Sequence, residues 1–390
     1  MPPEIAFMPR RLKVLIVAGT RPEGIKMAPV WCQLRDMPEA FEPPIFCSTG
    51  QHEAMLDSVL DLFGVTVDHR LHLLAERPSL VQLTSLAISR IAQTIELSSP
   101  DWVLCQGDTT SAMCGAIAAF CMGVKVGHVE AGLRTYDRRQ PYPEEVNRRI
   151  IAPTADLHFA PTTTARDNLL AERIDPPAIL VTGNTVIDAV RAVVRLPDLD
   201  ARVAPIRAWY EEHVGQARCI MVTGHRRENW ADGLAAVMGA LRDTVQRNPD
   251  VVAVYPVHLN PLVQEIATRE LAGQDRIHLI PPQDYASFTW MMSRCHLLLT
   301  DSGGVQEEGP GLGKPVLVFR NVTERPEGIA AGTAILVGTD PARISAEVQR
   351  LLDDSDAYRK MAQATNPYGD GSASLQIAEA LVRYGTSPAA

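Results

Sequence analysis

Residues Cys295–Thr300 (CHLLLT) run directly into Asp301–Glu308 (DSGGVQEE), and together they read as an apolar strand, a Ser-Gly-Gly turn and the opening of a helix. Two adjacent glycines after a buried strand let backbone N–H groups close on an anion, and the helix N-terminus adds its partial positive charge. One turn further on, Glu307 and Glu308 are placed to reach sugar hydroxyls. The string therefore suits a nucleoside diphosphate, with pyrophosphate on the glycines and ribose on a carboxylate. It is neither G-x-x-x-x-G-K-[ST], which occurs nowhere in the chain, nor G-x-G-x-x-G, and a plain tight turn before a helix accounts for it as well.

Outward from this stretch the same unit repeats. Short apolar runs are expected as strands at Cys219–Thr223, Val251–Pro256, Ile277–Ile280, His296–Thr300 and Pro315–Phe319. Amphipathic helices are expected between and after them, at Gly233–Arg247, Leu262–Ala272 and Ala342–Asp353, with a last helix near Ser374–Tyr384 after the turn-rich NPYGDG (366–371). The first half carries strand candidates at Leu12–Ala18, Pro44–Ser48, Trp102–Cys105, Val124–Val129, Leu157–Ala160 and Ile179–Val181, with helices such as Ser79–Glu96 and Ser111–Cys121. Strands alternating with helices at this spacing imply parallel β-α-β units. Leu196–Pro205, polar with two prolines, reads as a linker between two such domains, 1–195 and 196–371, with helix 372–387 packing back on the first. The expected fold is α/β, with two doubly wound Rossmann-like domains facing a cleft and ligands beyond the carboxyl ends of the strands.

A chain of 390 residues supports two cores, and 46% hydrophobic with 21% charged residues is ordinary globular composition. The net charge of −9 argues against nucleic acid as a partner, so an anionic ligand needs a local basic pocket. No apolar run approaches the ~20 residues of a membrane span. Arg10, Arg11 and Lys13 precede an apolar run too short for a signal peptide, which fits a first buried strand better. The seven cysteines show no C-x-x-C spacing, and Cys105, Cys114, Cys121, Cys219 and Cys295 sit in apolar contexts, as reduced core cysteines of a cytoplasmic protein do.

Polar residues cluster where strands end. In Gly19-Thr20-Arg21-Pro22-Glu23, Thr20 and Glu23 have capping-box spacing and Pro22 fits the first helical turn, which leaves Arg21 and Lys26 as cations open to an anion. Asp108, in Gly107-Asp108-Thr109-Thr110, suits a helix cap or a catalytic acid equally. Glu130 ends an apolar strand beside small residues, and Glu144 either pairs with Arg148 four residues on or joins the other acids. Clustered carboxylates raise one another's pKa, which suits acid–base work. With no histidine pair or D-x-D spacing among them, a metal site is the poorer reading. In the second half, His225 with Arg226 and Arg227 follows a buried strand, Arg325 follows another, and His258 lies in a turn; phosphate contact is the expectation for this group.

GTRPE (19–23), QGDTTS (106–111), HVEAGLRT (128–135), PEEVNR (143–148), ADLHFAPT (155–162), TGNTVID (182–188), TGHRREN (223–229), DSGGVQEE, TERPEG (323–328) and NPYGDG resemble, in order and spacing, the strings of the non-hydrolysing UDP-N-acetylglucosamine 2-epimerase family. The resemblance covers essentially the whole chain. It implies a pair of Rossmann-like domains of the glycosyltransferase-B type, a homodimer, a UDP-sugar substrate and no cofactor, neither NAD nor metal. It implies C2 epimerisation of UDP-N-acetylglucosamine to UDP-N-acetylmannosamine by anti elimination of UDP to 2-acetamidoglucal, followed by re-addition.

Carried over by motif, the resemblance makes Asp108, Glu130 and Glu144 the acid–base carboxylates, without saying which takes the C2 proton. His225 supports the leaving pyrophosphate, Arg21 and Lys26 hold the nucleotide, and Arg148 contacts substrate. Ser302, Gly303 and Gly304 bind phosphate oxygens, Glu308 the ribose, Arg325 uracil or phosphate, and Phe288 lies beside the base. Gln51, His52 and His258 match an activating site for substrate in some bacterial members. Gly24, Tyr142 and Pro78 depart from the family's usual strings without touching a catalytic position. A hydrolysing epimerase, an epimerase of a modified UDP-sugar and a non-catalytic UDP-sugar sensor are the competing readings.

Overall fold

The computed structural model describes residues 10–50, 53–74, 78–226 and 232–385. They form two compact units, one comprising the chain up to Ala189 together with Gly371 onward, the other Val190–Asp370. The first unit holds seven strands: β1 (Val14–Ala18), β2 (Ile45–Ser48), β3 (His69–Arg70), β4 (Trp102–Gln106), β5 (Lys125–Val129), β6 (Leu157–Ala160) and β7 (Ile179–Val181). They pair in parallel in the order β3-β2-β1-β4-β5-β6-β7. The second holds β8 (Arg218–Thr223), β9 (Val251–Pro256), β10 (Ile277–Ile280), β11 (Leu297–Thr300), β12 (Val316–Val318) and β13 (Ala334–Leu336), ordered β10-β9-β8-β11-β12-β13. The alternating α/β expectation is met in both units.

Every residue of β1 and of β4 is buried, so these runs are apolar throughout instead of alternating, as strands covered on both faces are. In each unit the strand order reverses once, between β1 and β4 in the first and between β8 and β11 in the second. Loops diverge at such a switch point and leave room for a ligand. Gly19 sits there for steric reasons: a Cβ on it would lie 2.0 Å from Thr49 Oγ1 and 2.7 Å from Ser111 Oγ.

Leu196–Pro205 is not an open linker. It folds into helices Leu199–Arg202 and Ala204–His213, the second with Pro205 in its first turn, where no backbone donor is needed. The division between units falls earlier, within helix Thr185–Val193. The last helix, Ala373–Tyr384, belongs to the first unit and packs on helix Arg21–Arg35. Asp188 accepts from Ala373 N and Ser374 N at its start, and at its end Trp102 Nε1 donates to Gly385 O. Cys121 is exposed, against the core expectation, because it ends its helix; Cys105, Cys114, Cys219 and Cys295 are buried. Among the described residues no helix is long and apolar enough to cross a membrane.

Candidate active site

In the first unit the switch point assembles around Asp108 and Glu130. Asp108 is not the helix cap: Thr109 caps helix Thr110–Cys121 by accepting from Ala112 N at 3.0 Å. The Asp108 carboxylate is thereby released, and Arg148 Nη2 pairs with it. Its main chain is held as well. Asn147 Nδ2 donates to Asp108 O at 2.8 Å, and His128 Nε2–H donates to Gly107 O at 2.7 Å, on a turn whose Gly107 has φ +69°. Glu23 forms the expected capping box with Thr20 and also accepts from Thr109 Oγ1 at 2.7 Å, tying the first loop to the Asp108 turn. Its burial raises its pKa.

Glu130 follows β5 with φ +60°, a left-handed conformation that costs a non-glycine residue about 1–3 kcal/mol and persists only where surroundings enforce it. The surroundings are charge and hydrogen bonds. Lys26 Nζ lies 2.5 Å from Oε2, Gln106 Nε2 donates to the same oxygen, and Asn184 Nδ2 donates to Oε1 at 3.2 Å. Lys26, expected as an open cation, is instead the partner of Glu130: it projects from the second turn of helix Arg21–Arg35, which follows β1, toward the residue that follows β5. Arg21 opens its helix half-buried, with no ion-pair partner among the described residues.

Glu144 begins helix Glu144–Ile151, and its Oε2 is buried without a hydrogen-bond partner among the described residues. The expected Glu144–Arg148 pair does not form. The neighbouring Glu145 turns inward and takes Arg148 Nη1 at 3.1 Å. Beneath the site, His128 on β5 stands in register with His158 on β6. Burial lowers the pKa of His128 to about 4 and of His158 to about 3. Both are neutral in the fold and charge more readily when unfolded, so they favour folding above about pH 6.5 and lose that contribution as pH falls toward 4. Each costs about 1.4 kcal/mol of stability per pH unit across that window. His158→Phe is expected to flatten the acid side of a Tm–pH curve by about one proton; an unchanged slope contradicts the buried neutral state.

The second unit builds an anion cradle at its own switch point. Asp301, fully buried at the end of β11, accepts from His225 N at 3.1 Å and Arg226 N at 2.9 Å, pinning the loop after β8 to the Ser302–Gly304 turn. Ser302 does not cap helix Gly303–Gly311 with its side chain, so the first N–H groups of that helix stay open to a ligand. A methyl on Gly303 would meet Arg226 Nη2 at 3.6 Å and Arg325 Nη2 at 3.9 Å: two guanidinium groups converge over the turn. Arg325 Nε pairs with the buried Glu307, so Glu307 orients an arginine and is not turned toward a ribose as expected. Glu308 Oε1 lies 3.6 Å from the Cβ position of Gly304.

The His225 ring lies 3.4 Å from Asp301 and stacks on His258, with centroids 5.6 Å apart. Burial lowers its pKa, Arg226 and His258 act in the same direction, and Asp301 opposes them. Phe288 is half-buried on helix Tyr285–Arg294 and shares no hydrogen bond or ring contact with the turn among the described residues. Gln51, His52 and Arg227–Asn229 lie outside the described residues.

The family model described as UDP-N-acetylglucosamine 2-epimerase matches residues 38–382. The UDP-N-acetylglucosamine 2-epimerase of Bacillus subtilis (strain 168) is 48% identical over 377 residues, 96% of this chain and 97% of that protein. The chain belongs to the UDP-N-acetylglucosamine 2-epimerase family. Among solved structures, the putative UDP-N-acetylglucosamine 2-epimerase of Listeria monocytogenes is 43% identical with a TM-score of 0.88, covering 96% of this chain and 97% of that one. The Neisseria meningitidis UDP-GlcNAc 2-epimerase bound to UDP-GlcNAc is 41% identical with a TM-score of 0.86, covering 95% and 100%.

At this epimerase-family site, sequence reasoning missed Gln106 and Asn184 on Glu130 and Asp301 under His225, and gave Glu307, which pairs with Arg325, a different role. Asn184 stands inside the quoted string TGNTVID, the one signal that pointed to it.

Proposed function

We propose that this protein interconverts UDP-N-acetylglucosamine and UDP-N-acetylmannosamine by a non-hydrolysing route. Asp108, Glu130 and Glu144 carry out the proton transfers at C2. As the C2 proton is removed, the C1–O bond breaks, its electron pair goes to the β-phosphate oxygen, and 2-acetamidoglucal with a C1=C2 double bond remains beside UDP. Return of the proton to the opposite face of C2, with addition of the phosphate oxygen to C1, gives the epimer. Ser302–Gly304 N–H groups, Arg226, Arg325 and His225 stabilise the departing diphosphate, where charge develops. Arg21 and Phe288 contact the nucleotide, Glu308 takes the ribose, and the working assembly is a homodimer.

The observation that carries this reading is Glu130 held in a left-handed backbone against an ammonium and two amide donors, beside an Asp108 released from capping. Backbone strain kept at a polar, charged strand end belongs to function more than to stability.

The test is proton NMR of UDP-N-acetylglucosamine with the protein in D₂O, without NAD or metal. The expected result is conversion to the mannosamine epimer with deuterium at C2 and UDP still attached. Accumulation of UDP with free N-acetylmannosamine means a hydrolysing enzyme instead. Binding without turnover means a sensor.

A further inference from the structure

Three of the eight residues of helix Glu144–Ile151 hold Asp108 (Asn147 and Arg148 directly, Glu145 through Arg148), and Glu145 has no role in the reaction as proposed. Its side chain is fully buried. It accepts from Thr135 N at 3.0 Å and Tyr136 N at 3.1 Å, which fixes where the carboxylate stands. Its Oε2 then holds Arg148 Nη1 at 3.1 Å, and the other terminal nitrogen of the same guanidinium, Nη2, pairs with Asp108. A planar guanidinium gripped at one nitrogen by a fixed buried carboxylate has its second nitrogen set in direction, and that direction is the Asp108 carboxylate. Neither Thr135 nor Tyr136 contributes a side chain to this hold; both donate from the backbone, so the anchor does not depend on rotamers.

We propose that Glu145 is a positioning residue for the epimerisation: it never meets substrate, and it aligns Arg148 so that Arg148 holds the Asp108 carboxylate in its working orientation. This rests on the reading of Asp108 as a reacting group. Arg148 thereby acts through Asp108 and not as the direct substrate contact that its motif implies.

The variant Glu145→Gln keeps the volume but exchanges one acceptor oxygen for an amide that faces only donors. Turnover is expected to fall by about 10- to 100-fold, as for a reacting group displaced by a fraction of an ångström to an ångström. KM and UDP affinity stay within about 2-fold, since the lost interaction acts on the reacting geometry alone. Glu145→Asp, which keeps the charge, recovers part of the loss.

The decisive comparison uses the Asp108→Asn background, with the slow residual rate read as C2 deuterium incorporation over long incubations. There Glu145→Gln is expected to cost less than about 2-fold more, because the two residues act as one chain. A merely structural Glu145 would multiply its loss in full, which overturns the proposal. So does unchanged turnover in Glu145→Gln, or a raised KM at constant kcat, which would make Arg148 a substrate-binding group. If Glu145→Gln does not fold, Glu145→Asp enters the same cycle. Full turnover in Asp108→Asn alone removes the underlying reading as well; a slow Asp108→Asn with additive Glu145 loss removes only this one.

Discussion

Asp108→Asn and Glu130→Gln each lower turnover by at least ~100-fold while UDP affinity is largely kept, the expectation for groups that move protons and do not hold the nucleotide. The two substitutions act differently. Asparagine at 108 leaves the Arg148 guanidinium facing a neutral amide, so the hold from Glu145 persists but the ionisable carboxylate is gone. Glutamine at 130 must place its NH₂ toward Lys26, Gln106 or Asn184, all of them donors. That substitution also strips Lys26 of its carboxylate, and a positive charge where one was neutralised repels the proton being moved. Turnover is followed by NMR and UDP binding by calorimetry on the same preparations. A variant with wild-type turnover removes its residue from the proton transfer.

Arg325→Ala is expected to weaken UDP binding by at least ~30-fold, about 2 kcal/mol, as for a buried charge-assisted contact truncated on one side. The arginine has two duties. One end pairs with Glu307, of which almost nothing is exposed, and the other converges with Arg226 over Gly303. Its loss therefore lowers stability too, by about 3 kcal/mol, since Glu307 stays buried without this partner. Combining Arg325→Ala with Glu307→Ala separates the duties: part of the stability returns, because the buried carboxylate is gone, and none of the affinity does. Calorimetric titration with UDP and thermal melts read the two effects separately. Unaltered UDP affinity in Arg325→Ala would sink its place in the cradle.

The β-α-β alternation was legible because doubly covered strands are continuous apolar runs: Val14–Ala18, Trp102–Gln106 and Leu297–Thr300 announce themselves by composition. β3, a two-residue His-Arg strand, has no such signal, and β13 is a three-residue run that length alone hides. Leu196–Pro205, which holds one short helix and starts another, was read as linker because prolines punctuate local pattern whether they end a helix or begin one. At the site, the acids proposed to react stood out because acids at strand ends are anomalous. Their supports did not, since Gln106, Asn184 and Asp301 are ordinary polar residues until the sheet brings their partners across. Glu144 and Glu145 show the same limit: two adjacent acids differ by about 100° around a helix, and only the packing says which points in.

The first unit is assembled from two pieces of chain that the second unit separates in the sequence. Its seven strands leave the ribosome before the whole of the second unit, yet Asp188, Trp102 and helix Arg21–Arg35 await a helix that emerges after it. At about 5–20 residues per second, that interval lasts on the order of ten seconds or more. During it the ground that Ile377, Ala378 and Leu381 will cover stays open to water or to a chaperone. A nonsense codon between Asp370 and Ala373 would therefore strike the unit begun first in the sequence, and spare the one completed just before it.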